Sequence, residues 1–413
     1  MRHHVKLLAP AGSYESLHAA IQAGADAIYF GVEQLNMRAR SAPSFTTTDI
    51  GRVAAICRNA GIRAYITLNT VMFDHDMQLA RSIIREVKKH GIDAVIASDV
   101  AVMQLCRQQQ VPVHISTQAN VSNYAAVEFY APMADVVVLA RELSLSQVAH
   151  INRQIRRKQL KGVSGNLVET EIFIHGALCM AVSGKCYLSL HAHNASANRG
   201  ACQQNCRRPY QVTDMETGHQ LAIDNEYIMS PQDLCTIDIL DQVVASGASV
   251  LKIEGRTKGP EYVFTVTKAY HEALRALQDG SFTAEKAMQW KAELAKVYNR
   301  GFWEGYYLGR ELGVWTAHPG SAATEKKIHV GRGSHFYPKA GIAEFLVESG
   351  KLETGDTVLI TSPRFGMVRE TVDRLVVNGA ESSVAVKGDR ITIPMSQKIT
   401  TADRLYKIIP ANG

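Results

Sequence analysis

Eight short apolar runs recur through the first 256 residues, and they set the strongest limit on what this chain can fold into. They occupy residues 5–12, 26–31, 63–69, 93–99, 111–118, 134–141, 170–177 and 249–256. Several follow a stretch with the 3.6-residue period of an amphipathic helix. Glycine closes that helix in Gly24-Ala25-Asp26, Gly61-Ile62-Arg63, Gly91-Ile92-Asp93 and Gly247-Ala248-Ser249, where it suits a left-handed C-cap. Strands alternating with helices in this number predict an α/β fold, a parallel (β/α)8 TIM-like barrel, with an open doubly wound sheet as the alternative.

The pattern changes beyond residue 256. Residues 260–278 read as the last barrel helix and 283–298 as a further amphipathic helix, which ends the first domain near residue 308. Residues 309–327, rich in Gly, Pro, Ser and Ala, read as a linker. Strand-like runs at 340–347, 356–362, 370–377 and 390–395 then predict a small C-terminal β-barrel over 328–413. A chain of 413 residues that is 46% apolar is neither disordered nor collagen-like, and each domain is large enough to bury a core without disulfides. MRHHVKLLAPAG has no long apolar segment, and no membrane span stands out, so the expectation is a cytoplasmic protein with reduced thiols. The net charge of +6 permits a polyanionic partner without requiring one.

The seven cysteines therefore need another cause. Cys57 and Cys106 sit late in helices, at the end of the barrel that serves stability, and read as small core residues. The other five, Cys179, Cys186, Cys202, Cys206 and Cys235, crowd into residues 179–235, just past the seventh proposed strand, where such barrels carry their chemistry. Four thiolates suit zinc or an iron–sulfur cluster, and the wide C-x6-C and C-x3-C spacings favour iron–sulfur over the tight pairs of structural zinc. Ser230-Pro231-Gln232-Asp233 reads as a helix start, which puts Cys235 in a first helical turn, as an alternate ligand or a neighbour.

Other polar residues fall at the C-terminal ends of the proposed strands. Lys252 and Glu254 share one side of strand eight and read either as a buried ion pair or as catalytic groups, with Lys252 a proton donor or anion anchor. Arg141 and Arg256 offer planar forks for carboxylate or phosphate. Asn69 and Gln118 carry amides suited to a pyrimidine edge, and His175, a candidate proton shuttle, and Asp99 are candidate catalytic groups at strand ends, each with a structural supporting role as the alternative. Pro10-Ala11-Gly12 suggests a tight turn or a close backbone approach to ligand. Arg153, Arg156, Arg157, Lys158 and Lys161 form a basic run, and Arg207 with Arg208 follows Cys206 directly, so both groups are candidates for RNA phosphates or a solvated face. No H-E-x-x-H helix or G-x-S-x-G elbow is present. A peptidase would need a cysteine nucleophile with His175.

Residues 171–189, EIFIHGALCMAVSGKCYLS, resemble the signature E-x-F-x-x-G-A-L-C-x4-G-x-C-x-L-S of the collagenase-like peptidase family U32. LLAPAG, GADAIYFG, ISTQAN, LARELS and VLKIEGR resemble the family as well, and the C-terminal segment is similar to the small domain that follows the barrel in many members, itself like a translation-factor β-barrel. The resemblance implies an iron–sulfur protein of oxygen-independent hydroxylation, acting on a tRNA wobble uridine with prephenate, on a ribosomal RNA cytidine, or on a ubiquinone precursor ring. The tRNA branch is the nearest in length and domain content. It implies a [4Fe-4S] cluster on Cys179, Cys186, Cys202 and Cys206, although a relative uses the cysteine matching Cys235. Prephenate, a dicarboxylate, would suit Arg141 and Arg256. In the ubiquinone branch two paralogues act together, so a paralogous partner subunit is a further implication.

Overall fold

The computed structural model describes residues 5–39, 45–211, 213–218, 229–309, 313–317 and 320–411. The eight apolar runs form the strands of a closed parallel barrel. In chain order its first half comprises β1 (Lys6–Pro10), α1 (Tyr14–Gln22), β2 (Ala27–Gly31), α2 (Ile50–Asn59), β3 (Arg63–Leu68), α3 (Met77–His90), β4 (Ala94–Ala97) and α4 (Val100–Gln108). Then come β5 (Val113–Ile115), α5 (Tyr124–Tyr130), β6 (Val136–Val138), α6 (Leu145–Arg157), β7 (Glu169–Gly176) and a short α7 (Leu188–His193). The barrel domain ends with β8 (Asp233–Cys235), α8 (Leu240–Ala245), β9 (Val250–Ile253), α9 (Pro260–Asp279), α10 (Ala284–Ala295) and β10 (Phe302–Trp303). Strands β1 to β7 pair in order, and β9 closes the ring between β7 and β1 with Leu8 opposite Lys252 and Phe173 opposite Lys252.

Burial on both faces explains why these strands read as continuous apolar runs. Inside the ring Leu8, Ala27, Tyr29, Tyr65, Ala94, Ile96, Val136 and Val250 form one cluster, and the outward residues pack against the helices. The helix ends follow the local chemistry. Ser13, Asn123, Ser144 and Thr283 each cap a first turn with a side-chain oxygen, and Gly91 ends α3 in the left-handed region at φ 70°.

Two strands add to the barrel rim. β8 runs antiparallel to the end of β7, with His175 opposite Cys235, and β10 lies parallel to β8. The helix start expected at Ser230-Pro231-Gln232-Asp233 is therefore corrected to a strand. The exposed edge of β7 offers backbone partners, and pairing there outweighs the capping pattern.

The C-terminal domain comprises β11 (Glu325–Tyr337), β12 (Ile342–Val347), β13 (Lys351–Glu353), β14 (Thr357–Ser362), β15 (Gly366–Thr371), β16 (Val376–Val377), β17 (Ala380–Glu381), β18 (Val384–Val386), β19 (Arg390–Pro394) and β20 (Arg404–Pro410). Eight form one antiparallel sheet in the order β15-β14-β20-β11-β12-β19-β16-β17, and β13 pairs with β18. Its long strand β11 begins at Glu325, inside the stretch read as linker. The run at 370–377 divides between β15 and β16. This domain docks on α1 and α9, where Ala19, Leu359 and Met367 pack with Phe264, Tyr406 and Ile408. Gly366 permits the approach, since a Cβ there would lie 2.7 Å from the Ala19 amide nitrogen. No described helix is long and apolar enough to cross a membrane.

Candidate active site

The inside of the barrel carries an ordered set of charges. Lys252 pairs with Glu171 at 2.7 Å, with side chains 5% and 0% exposed, and its ammonium lies 4.5 Å from the Tyr29 ring centre. Glu254 is not its partner. That carboxylate accepts from Arg38 at 2.8 Å and from the Tyr29 hydroxyl at 3.1 Å. Burial opposes ionisation of Glu254, but Arg38, followed by Arg141 and Arg256, pulls its pKa down to about 2.

Each arginine of this group is held in place. Arg256 donates to Thr67 Oγ1 at 2.7 Å and Asn36 Oδ1 at 3.2 Å, and Gly31 makes room for it, because a Cβ there would lie 2.5 Å from the guanidinium. Arg141 stacks 3.9 Å from the Phe173 ring centre and donates to the Ala177 carbonyl, while its buried Nε has no partner. Among the described residues, three guanidiniums thus act on the one carboxylate of Glu254 at the mouth of the barrel. The turn at Pro10-Ala11-Gly12 serves packing. A Cβ on Gly12 would lie 2.0 Å from the Arg256 carbonyl oxygen.

The remaining strand-end candidates divide. Asn69 donates to Gln118 Oε1 at 3.1 Å and to Ser116 Oγ at 3.2 Å and accepts from the Met37 amide, so it organises the mouth. The same bonds leave the Gln118 amide nitrogen for another acceptor. Asp99 is the N-cap of α4 and is spent on backbone, accepting from the Ala101 and Met72 amides. Its expected catalytic role is corrected to capping. His175 is corrected too. A bulge between Phe173 and His175 turns its ring away from the barrel axis, into Tyr262, Tyr270 and Phe302, and burial pushes its pKa down to about 3. A neutral, enclosed imidazole does not shuttle protons at neutral pH.

The cysteine-rich segment after β7 folds over the mouth. Val71 donates to the Asn198 carbonyl, Arg199 binds the Asp76 carboxylate, and Asn120 donates to the Ser183 carbonyl. Gly184 and Gly200, both at positive φ, sit against Gln118 and the Asn36 carbonyl, where a Cβ would come within 2.9 and 2.4 Å. Cys179, Cys186, Cys202 and Cys206 gather in this segment. Burial raises the Cys206 pKa, and the thiols of Cys179, Cys202 and Cys186 all act on it in the same direction, against Arg207. None of the four forms a disulfide. Among the described residues no three His, Cys, Asp or Glu side chains are grouped closely enough to hold a metal ion.

Cys235 stands apart. It is 4% exposed in β8, 3.8 Å from the Tyr270 hydroxyl, and burial pushes its thiol up to about 11. Cys57 and Cys106 are buried core thiols, each raised to about 12 by burial.

Of the basic candidates, Arg207 is a strut. It donates to Ser230 Oγ at 3.0 Å and to the Pro231 and Leu178 carbonyls at 2.7 and 2.5 Å, tying the cysteine segment to the strand ends. Arg208 is exposed. Arg153, Arg156, Arg157, Lys158 and Lys161 are exposed around the C-terminal end of α6, which leads into the start of β7, so they lie at the opposite end of the barrel from Arg207 and Arg208. The two basic groups therefore do not share one face.

Sequence reasoning missed Arg38, Asn36, Lys258, Asp233 and Arg300. Arg38 and Asn36 lie between β2 and α2, where no periodicity marks a side chain's direction. The family signature at 171–189 forms the end of β7 and the start of the segment that covers the mouth, which places its cysteines and Gly184 at the site.

A protein named Collagenase from Porphyromonas gingivalis is 52% identical over 402 residues, covering 97% of each chain. The tRNA hydroxylation protein P1 of Bacillus subtilis is 33% identical over 313 residues, 74% of this chain and 71% of that one. The 23S rRNA 5-hydroxycytidine C2501 synthase of Escherichia coli is 28% identical over 414 residues, 99% of this chain and 56% of that protein. The sequence profile of peptidase family U32 matches residues 12–316, nearly the whole barrel domain, and the chain belongs to that family.

Proposed function

We propose that this protein is a cytoplasmic iron–sulfur enzyme that hydroxylates C5 of the tRNA wobble uridine without molecular oxygen, with prephenate as co-substrate. The observation that carries the reading is that four mutually influencing thiols lie in the segment that covers the barrel mouth, where Arg38, Arg141 and Arg256 act on Glu254. The wide C-x6-C and C-x3-C spacings of these thiols suit an iron–sulfur cluster better than the tight pairs of structural zinc. Cys179, Cys186, Cys202 and Cys206 would hold a [4Fe-4S] cluster, which supplies one-electron chemistry when bound.

The chain's own residues account for binding. Arg141 and Arg256, with Arg38 beside Glu254, bind and orient the two carboxylates of the co-substrate, as planar forks do. The Gln118 amide nitrogen, fixed through Asn69, can donate to a pyrimidine carbonyl. The names of two relatives, a tRNA hydroxylation protein and an rRNA hydroxycytidine synthase, support RNA as the substrate class.

A second reading, peptide hydrolysis, draws on the collagenase-named relative at 52% identity. It finds no support in the side chains, since no described histidine hydrogen-bonds a thiol and His175 is enclosed.

Two measurements test the proposal. Anaerobic purification is expected to give a brown protein with about four iron and four sulfide per chain. Mass spectrometry of tRNA nucleosides from a deletion strain is expected to show loss of 5-hydroxyuridine derivatives. Unchanged nucleosides in a strain without a redundant enzyme would refute the tRNA assignment, and cleavage of collagen blocked by thiol alkylation would favour the second reading.

A further inference from the structure

A second charged group lies beside the cysteine segment and is not used by the function proposed above. Asp233, 2% exposed in β8, is flanked by Arg300, Arg207 and Lys258. Its contact with Arg300 is loose, 3.4 Å, with side chains 9% and 3% exposed. Arg207 is already committed to two carbonyls and a hydroxyl. Arg300 and Lys258 remain beside this carboxylate, with only the more distant influence of Glu254 on Lys258 added to it.

Lys258 makes no ion pair among the described residues, and its ammonium rests 2.9 Å from the centre of the Tyr298 ring. The same ring lies 5.2 Å from the Arg300 guanidinium, so one aromatic face carries both cations. A buried surplus cation is costly unless an anion joins it or a proton leaves. Burial, followed by Arg300, lowers the Lys258 pKa to about 7, with Asp233 and Glu254 only partly offsetting them.

Place in the fold adds a second argument. Lys258 lies between β9 and α9, and Asp233 and Arg207 lie in the chain that follows β7. β7 and β9 are the seventh and eighth barrel strands, and the segments after these two strands frequently bind phosphate in (β/α)8 barrels. We propose that Lys258 and Arg300 form an anion subsite, seated on Tyr298, that takes a phosphate group. The group can come from a polynucleotide backbone or from a small phosphomonoester. The proposal does not depend on a bound cluster.

Calorimetric titration of the full-length protein with inorganic phosphate tests it. The wild-type chain is expected to bind phosphate saturably, and Lys258→Met and Arg300→Gln each to weaken binding by about tenfold, the loss of one charged hydrogen bond. Lys339→Met, an exposed change in the C-terminal domain, is expected to leave binding unchanged. Asp233→Asn is expected to tighten it, an outcome that damage to the fold would not produce. If Arg300→Gln does not fold, Lys258→Met decides, because that side chain is half-buried. Displacement of phosphate by a short single-stranded RNA without terminal phosphates points to a backbone source, and displacement by glycerol 3-phosphate alone to a small metabolite. Absence of saturable binding, failure of both competitors, or Lys258→Met binding within twofold of wild type would overturn the proposal.

Discussion

Replacing Lys252 by methionine separates its two possible roles. Its ammonium is 2.7 Å from Glu171 Oε1, both side chains are almost fully enclosed, and Glu171 Oε2 already lacks a partner. Methionine keeps the length of the side chain over Tyr29 and Phe173 but leaves the carboxylate alone in the barrel. Removing one member of a buried pair costs about 3–5 kcal/mol. At roughly 2–4 °C per kcal/mol for a domain of this class, the melting temperature should fall by about 6–20 °C. Glu171→Met should cost a similar amount. The double variant K252M/E171M should recover most of the loss, because two apolar groups of similar volume carry no desolvation penalty. Thermal and urea unfolding of the four proteins, followed by circular dichroism, gives the cycle. A Lys252→Met protein within about 1 kcal/mol of wild type would refute the reasoning, since the enclosed carboxylate would then have found another partner. A double variant that is stable yet inactive would place Lys252 against substrate.

Three further outcomes are expected. Cys202→Ser should lower the iron content of anaerobically purified protein, whereas Cys235→Ala, buried against Tyr270, should leave it unchanged; equal iron in both would refute the four-thiol assignment. Arg207→Gln removes the ties to Leu178, Pro231 and Ser230, so limited proteolysis should cut faster within 179–211 while the far-ultraviolet spectrum holds, and unchanged cleavage would refute the strut role. Glu254 has its folded pKa depressed from 4.5 to about 2, by Arg38, Arg141 and Arg256 acting against burial, so its stabilising contribution is complete above its ordinary value and is lost as pH falls through about 2. That contribution is on the order of 3 kcal/mol. Glu254→Gln should accordingly flatten the acid-unfolding profile between roughly pH 5 and 2, and identical profiles would show that the carboxylate is not held by its arginines.

The barrel was legible because its strands are enclosed on both faces and its helices end on glycine, features that local sequence records directly. Side-chain direction was less so. The alternation that puts Lys252 and Glu254 inside is simple, but the bulge at Phe173 to His175 inserts one residue and sends the imidazole outward. β8 carries a helix-start pattern, and only the open edge of β7 makes it a strand. Arg38 and Arg300 reach their partners from irregular segments, where no period signals a direction. The thiols were legible as a group because they crowd in sequence, while the separation of Cys235 depends on the antiparallel pairing that buries it.

The order of charges along the barrel bears on which chemistry it supports. Deep in the barrel Lys252 and Glu171 cancel. Nearer the mouth three arginines outweigh Glu254, and above them lie the cysteines. Amide hydrolysis needs a group that accepts a proton near neutral pH, within reach of the bond. Glu254, held near about 2, is a poor acceptor, and His175 faces the helices. In the proposed function the arginines would instead bind an anion with two carboxylates beneath the cysteine segment. On that proposal the arginines bind and orient, and the reacting atoms would lie between the arginines and the thiols. That division predicts that Arg141→Gln and Arg256→Gln raise the co-substrate concentration needed for half-maximal turnover while iron content stays at the wild-type level, whereas Cys179→Ser abolishes turnover without weakening equilibrium binding of the dicarboxylate. Loss of dicarboxylate binding in Cys179→Ser would show that the two layers are one site.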